Sequence, residues 1–210
     1  MSADAPAARQ RRSYWLKTLH QWHWISAALS LIGLIVFAIT GITLNHASQI
    51  KATPQVVTLK ATLPEPLRES LATQPEQGTA PLPPALRAWL ADEWSLRSGG
   101  REAEWSADEV YLSLPRPGGD GWLSVDRASG ELEYEQTDRG WVSYFNDLHK
   151  GRNAGPMWGW FIDLFAGACL LFALTGLFLL KLHAVQRPLT WPVVGLGVVI
   201  PLLLALLFVH

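Results

Sequence analysis

One stretch constrains this chain more than any other: Leu19 to His46, LHQWHWISAALSLIGLIVFAITGITLNH. It carries no charge from Trp24 to Leu44, about the 20 residues a helix needs to cross a bilayer. In hydrocarbon every backbone N–H and C=O must be satisfied within the segment, so a run of this kind is a membrane-spanning helix. Histidines mark both ends, His20 and His23 before the run and His46 after it. Imidazole at both borders of one span is the feature that needs explaining.

The rest of the apolar sequence is equally uneven. The 210 residues are 49% hydrophobic and 17% charged, and nearly all the charge lies between Lys51 and Arg152. The expected fold class is therefore membrane α-helical, three transmembrane helices with a small α+β insert. A net charge of −1 gives no case for nucleic-acid binding. The single cysteine, Cys169, sits in an apolar run, which rules out a disulfide, a CxxC zinc site and a CxxCH covalent haem attachment.

Residues 1–18 form a basic tail, with Arg9, Arg11, Arg12 and Lys17 against Asp4; the positive-inside bias places it in the cytoplasm. The first span covers 19–46. It is longer than a signal h-region, and NHASQ offers no small-x-small cleavage site, so it is expected to be an uncleaved anchor. The insert, 47–150, holds eleven Lys and Arg through Arg152 against sixteen Asp and Glu, and is assigned to the outer side. Lys51 to Pro84 gives weak structure signals. A helix is predicted over Ala85–Arg97, then strands over Glu109–Leu114, Trp122–Asp126 and Glu131–Glu135, with turns between them. Trp141 to His149 has helical spacing and is expected to lie at the membrane surface. A second span covers 156–183 and a third 190–210, joined by a link in which Lys181 and Arg187 are cytoplasmic. Tryptophans are expected at the interfaces: Trp15, Trp22, Trp24 and Trp191 inside, Trp141, Trp158 and Trp160 outside.

On this topology His20, His23 and His183 fall at the inner border, and His46 and His149 at the outer one. A single interfacial histidine is usually no more than a polar ring tip. Five of six at matched depths point to ligation. Two neutral imidazoles facing each other across an iron hold a bis-histidine haem, and neighbouring helices can supply them. The expected cofactor is non-covalent haem b, one or two per chain or dimer. The expected pairs are His46 with His149, and His23 or His20 with His183. Zinc would also accept histidine, but no acidic or thiol ligand stands beside these residues in sequence. His23 and His46 are 23 positions apart, roughly 34 Å at the helical rise, so one haem cannot use both.

Two further features accompany the histidines. Phe37–Gly41 (FAITG) and Phe172–Gly176 (FALTG) repeat one string in spans 1 and 2, a hint of an inverted repeat. With Gly33 and Gly167 they offer thin backbone, for a porphyrin or equally for helix-to-helix packing. Asp163 lies about two turns inside span 2; an acid at that depth defaults to a functional role, with a solvated carboxylate as the plain alternative.

LHQWHW at the start of span 1, the TG near its end, the VDRASGEL turn at Val125–Leu132 and the membrane-return segment resemble the PepSY-associated transmembrane proteins. Leu19-His20-Gln21-Trp22 is similar to that family's LHRW opening, with Gln21 in place of Arg, and Ser129 stands where Thr is usual. The resemblance implies a bacterial inner-membrane protein with a periplasmic PepSY-like insert. It also implies electron transfer for metal acquisition, since larger members are b-haem reductases of ferric siderophores. The expected partners are membrane lipid, a quinol or flavoprotein donor, and a periplasmic ferric complex. With one PepSY-like unit and three spans, a homodimer would complete the haem arrangement. No GxGxxG follows a strand, so a nucleotide would act only through a partner. The rival expectation is a non-enzymatic accessory or sensor whose insert binds a periplasmic partner. A metal-transporter subunit is a weaker third, because the spans hold one interior charge, Asp163.

Overall fold

The computed structural model describes residues 4–209 except Pro75, with side chains from Arg9 onward. His210, expected at the tip of the third span, and residues 1–3 of the basic tail lie outside the described residues. Among the described residues three helices are long and apolar enough to cross a membrane: Arg9–Asn45, Pro156–Gln186 and Thr190–Phe208. They belong to α1 (Asp4–Asn45), α5 (Pro156–His183, continued by a 3₁₀ turn, Ala184–Gln186) and α6 (Thr190–Phe208). The basic tail is part of α1 from Asp4, because Ala, Arg and Gln there are strong helix formers. By contacts the chain divides into two compact units, Met1–Val36 with Phe161–His210, and Phe37–Trp160.

In the first unit α1 carries small polar residues on a buried line. Ser26 and Ser30 are 1% and 0% exposed. Their hydroxyls donate to the Trp22 and Ser26 carbonyls, both at 2.7 Å, so neither is an unsatisfied polar group. Small side chains at this spacing let a second helix come close. The Phe165 ring lies against Gly33, where any Cβ would overlap it; Gly167, by contrast, borders open space. Among the described residues of α6 none is buried, and a helix apolar all round needs lipid as its solvent.

The second unit is built on one antiparallel sheet in the order β1-β6-β5-β4-β3-β2. The strands are β1 (Gln55–Thr62), β2 (Gly78–Pro81), β3 (Glu102–Trp105), β4 (Glu109–Ser113), β5 (Gly119–Asp126) and β6 (Glu131–Asp138), with helices α2 (Glu65–Ala72), α3 (Pro84–Trp94) and α4 (Gly140–His149). Alternate residues of β4, β5 and β6 face inward: Val110, Leu112, Leu123, Val125 and Leu132 are at most 1% exposed. Leu71 of α2 and Leu86 and Leu90 of α3 close over them. Each such side chain contributes about 1.5–3 kcal/mol of burial.

The insert is richer than the sequence led us to expect. Lys51 to Pro84, read as weakly structured, contains β1, α2 and β2. β1 is an edge strand with mostly exposed residues, so it shows no inward alternation. Its order comes from pairing with β6, Leu59 opposite Tyr134. β3 is four residues long and escapes pattern reading for that reason. α3 stops at Trp94, three residues short of Arg97, because Ser95 turns left-handed with φ 53°. β5 starts at Gly119, before Trp122, since a Cβ at 119 would overlap the Thr137 carbonyl of β6 and the glycine permits close pairing.

The β5–β6 turn is closed by Asp126. Its carboxylate accepts the Ser129 N–H at 2.7 Å, the Ser129 hydroxyl at 2.9 Å and the Ala128 N–H at 3.0 Å. The hydrogen bonds from Ser129, backbone first and then hydroxyl, hold this exposed carboxyl below its ordinary 3.8.

Candidate functional site

In the second unit α4 is fixed by the polar residues of Asn-Asp-Leu-His. Asn146, buried, accepts the Thr43 hydroxyl of α1 at 2.8 Å. Asp147, also buried, accepts the Gly118 N–H at 2.9 Å. Gly118 has φ +71°, and a Cβ there would lie 2.6 Å from the Tyr144 backbone, so only glycine lets the hairpin meet the helix. The Trp158 indole N–H donates to the Leu148 carbonyl at 2.8 Å. Thus held, His149 places Nδ1 2.7 Å from the Thr40 hydroxyl. Its ring lies 4.8 Å from the Phe37 ring, and its Cε1 would be 3.6 Å from a Cβ on Gly41.

In the first unit His23 has the same surroundings, drawn from the other string. Its Nδ1 is 3.0 Å from the Thr175 hydroxyl. Its ring stacks on Phe172 at 4.8 Å and 18°. Its Cε1 would be 3.2 Å from a Cβ on Gly176. His20 and His183 come together, ring centres 6.0 Å apart and planes at 88°.

Hydrogen bonding bears on the tautomers. His20, His46 and His183 direct Nδ1 at the carbonyls of Leu16, Ile42 and Leu179, at 2.8, 2.9 and 2.8 Å. A carbonyl only accepts, so Nδ1–H donates in each. Thr175 spends its one hydroxyl proton on the Leu171 and Phe172 carbonyls, and Thr40 donates to Phe37. With that proton so spent, each threonine oxygen is placed to accept a ring N–H, which would put the hydrogen of His23 and His149 on Nδ1. In all five, Nε2 is then the ring nitrogen a metal would take.

A family model described as PepSY_TM-like matches residues 14–210. The chain belongs to the PepSY_TM-like family. No curated protein and no solved structure matches it. The match takes in every histidine of this PepSY_TM-like chain and both FAxTG strings.

Of the residues named from sequence, the PepSY_TM-like fold brings His20 to His183. It sets His23 on Thr175 and His149 on Thr40, and leaves His46 exposed on its own helix turn. Asp163 is exposed on α5. Sequence reasoning passed over Phe37, Thr43, Asn146, Asp147 and Phe172. A signal existed only for Thr43, a polar side chain in the apolar first span.

Among the described residues no group of three or more His, Cys, Asp or Glu converges, whereas an axially ligated iron needs two imidazoles. His20 and His183, with ring centres 6.0 Å apart, are the two imidazoles that would hold it. In the same unit a groove of about 570 Å³, lined by neither histidine, is walled by Trp15, Leu19 and Phe178 and edged by Arg12 and Lys181. Apolar walls with two cations suit a flat macrocycle bearing two carboxylates.

Proposed function

We propose that this PepSY_TM-like membrane protein is a b-type cytochrome that carries electrons from the cytoplasmic side to an external acceptor, a ferric complex such as a ferric siderophore. The observation that supports it most is that all five described histidines set Nδ1 within hydrogen-bond reach of a protein oxygen, which makes Nε2 the ring nitrogen a metal would take. His20 and His183 would hold one haem b, with His23 nearby as an alternative ligand. His149, with His46, would hold a second. Bound there, the group would supply one-electron chemistry between ferrous and ferric iron. The chain's own part is to hold the rings, exclude water with apolar helix faces, and offer Arg12 and Lys181 to propionates. Electrons would enter from a quinol or a flavoprotein and leave toward the acid-rich insert, which the positive-inside bias places in the periplasm of a bacterial inner membrane. A homodimer would supply further ligands.

The test is a reduced-minus-oxidised absorption spectrum of the purified chain, with haem quantified per chain. A b-type spectrum that weakens in His20→Ala with His183→Ala supports the reading. Colourless protein that does not reconstitute with haem overturns it.

One observation favours a second reading, a non-enzymatic accessory. A cleft of about 670 Å³ in the second unit is lined by Arg116, Asp138, Trp141 and Tyr144, a mix of charge and aromatic surface that suits an external peptide or protein. That reading predicts colourless protein whose cellular role survives His46→Ala with His149→Ala.

A further inference from the structure

The two FAxTG strings lie in different spans, and each holds an imidazole from elsewhere in the chain. The Thr40–His149 pair is 109 positions apart and the Thr175–His23 pair 152. The roles match residue by residue. Phe37 and Phe172 each face a ring at 4.8 Å. Thr40 and Thr175 each meet Nδ1, at 2.7 and 3.0 Å. Gly41 and Gly176 each leave space beside Cε1. The exchange is reciprocal: span 2's string holds the histidine of span 1, and span 1's string holds the histidine that precedes span 2.

We propose that Phe-Ala-x-Thr-Gly is an imidazole cradle present twice, with Thr40 and Thr175 as positioning residues that fix the Nδ1–H tautomer of His149 and His23. It deepens the haem reading and rests on that reading only for what Nε2 binds. The cradle works by hydrogen-bond accounting. Threonine has one donor, and a helix carbonyl three residues back takes it, shared at Thr175 with the carbonyl four back. What remains is an acceptor. It stabilises the ring with hydrogen on Nδ1 and disfavours the other tautomer, which would set two lone pairs against each other. The aromatic face orients the ring, and at Gly176 the missing Cβ keeps Cε1 of His23 from being pushed off the helix.

The test needs no haem. The full chain is labelled with ¹⁵N-histidine, freed of haem and studied in detergent micelles. Two-dimensional ¹⁵N–¹H spectra distinguish a protonated from a bare ring nitrogen, and His23→Ala and His149→Ala assign the signals. Both rings are expected as Nδ1–H at neutral pH. Thr175→Val should shift only the His23 signals and Thr40→Val only those of His149, while Thr175→Ser and Thr40→Ser should restore the wild-type pattern. Wild-type rings protonated on Nε2, or valine variants that leave both rings unmoved, overturn the proposal. The wild-type spectrum decides it even if a valine variant does not fold. A chain with the expected tautomers that takes up no haem keeps the cradle and ends the haem reading. A haem-binding chain with the opposite tautomers does the reverse.

Discussion

A Cβ on Gly176 would lie 3.2 Å from Cε1 of His23, whereas one on Gly41 would lie 3.6 Å from Cε1 of His149. The first is a tight approach, the second an ordinary contact. Alanine in a helix interior is favoured over glycine by about 0.5–1 kcal/mol. Gly41→Ala is therefore expected to melt no lower than wild type in detergent. Gly176→Ala must displace the His23 ring by a few tenths of an ångström, and should melt below Gly41→Ala. Differential scanning of the three proteins checks this; the opposite order would remove the steric basis of the cradle.

Asp126 gives the insert a pH dependence whose sign is fixed. Hydrogen bonds from Ser129 hold its carboxyl below 3.8 in the folded state, so the folded turn binds the proton less well than the unfolded chain. Its stabilising contribution is complete above the ordinary carboxylate range and is lost as the pH falls through the lowered value. On acidification below about pH 4 the wild type should lose β5–β6 protection faster than Asp126→Asn, which cannot titrate. Hydrogen exchange of the Ser129 and Glu131 amides reads the difference, and parallel loss in both proteins refutes it.

The spans were legible because lipid leaves a long uncharged run one solution, and hydropathy is a local property. The histidines were legible as border residues for the same reason. Their partners were not. FAITG and FALTG stood out as a repeat, but thin backbone was the only use the sequence offered for them, since the rings they hold come from more than a hundred positions away. The insert shows the same divide. Val110, Leu112, Leu123 and Val125 alternate within short runs and announce β4 and β5. β1 lies at an edge, with Val56 and Val57 both exposed, and is ordered by β6, Leu59 opposite Tyr134, 75 positions later. Asn146 and Asp147 looked like the wet side of an amphipathic helix, yet both are buried because α1 and the Gly118 hairpin supply their partners.

Asp147 ties α4 to the sheet by accepting the Gly118 N–H in a buried setting. Asp147→Ala strands that donor, at a cost of about 1–3 kcal/mol. Asp147→Asn keeps an acceptor oxygen and should cost less. Because α4 carries His149, the alanine variant should also broaden or shift the His149 ring signals while leaving those of His23 in place. Hydrogen exchange at Gly118 and the histidine spectrum together check this, and an unchanged Gly118 amide in Asp147→Ala rules it out.

Asp163 presents the reverse case, a carboxylate that is exposed on α5 seven positions in from Pro156. A helix rises 1.5 Å per residue, so the group lies about 10 Å from the helix start, within the apolar run. Aspartate at the centre of a span costs about 2.5–3.5 kcal/mol on an insertion scale, and less nearer the border. With lipid against that face, Asp163→Leu should raise the melting temperature of the chain in lipid nanodiscs and Asp163→Asn should raise it by less, while the His23 signals stay constant. If Asp163→Leu instead lowers the melting temperature and converts a dimer to a monomer on a sizing column, the carboxylate faces a second copy of the chain and the lipid-facing assignment is wrong.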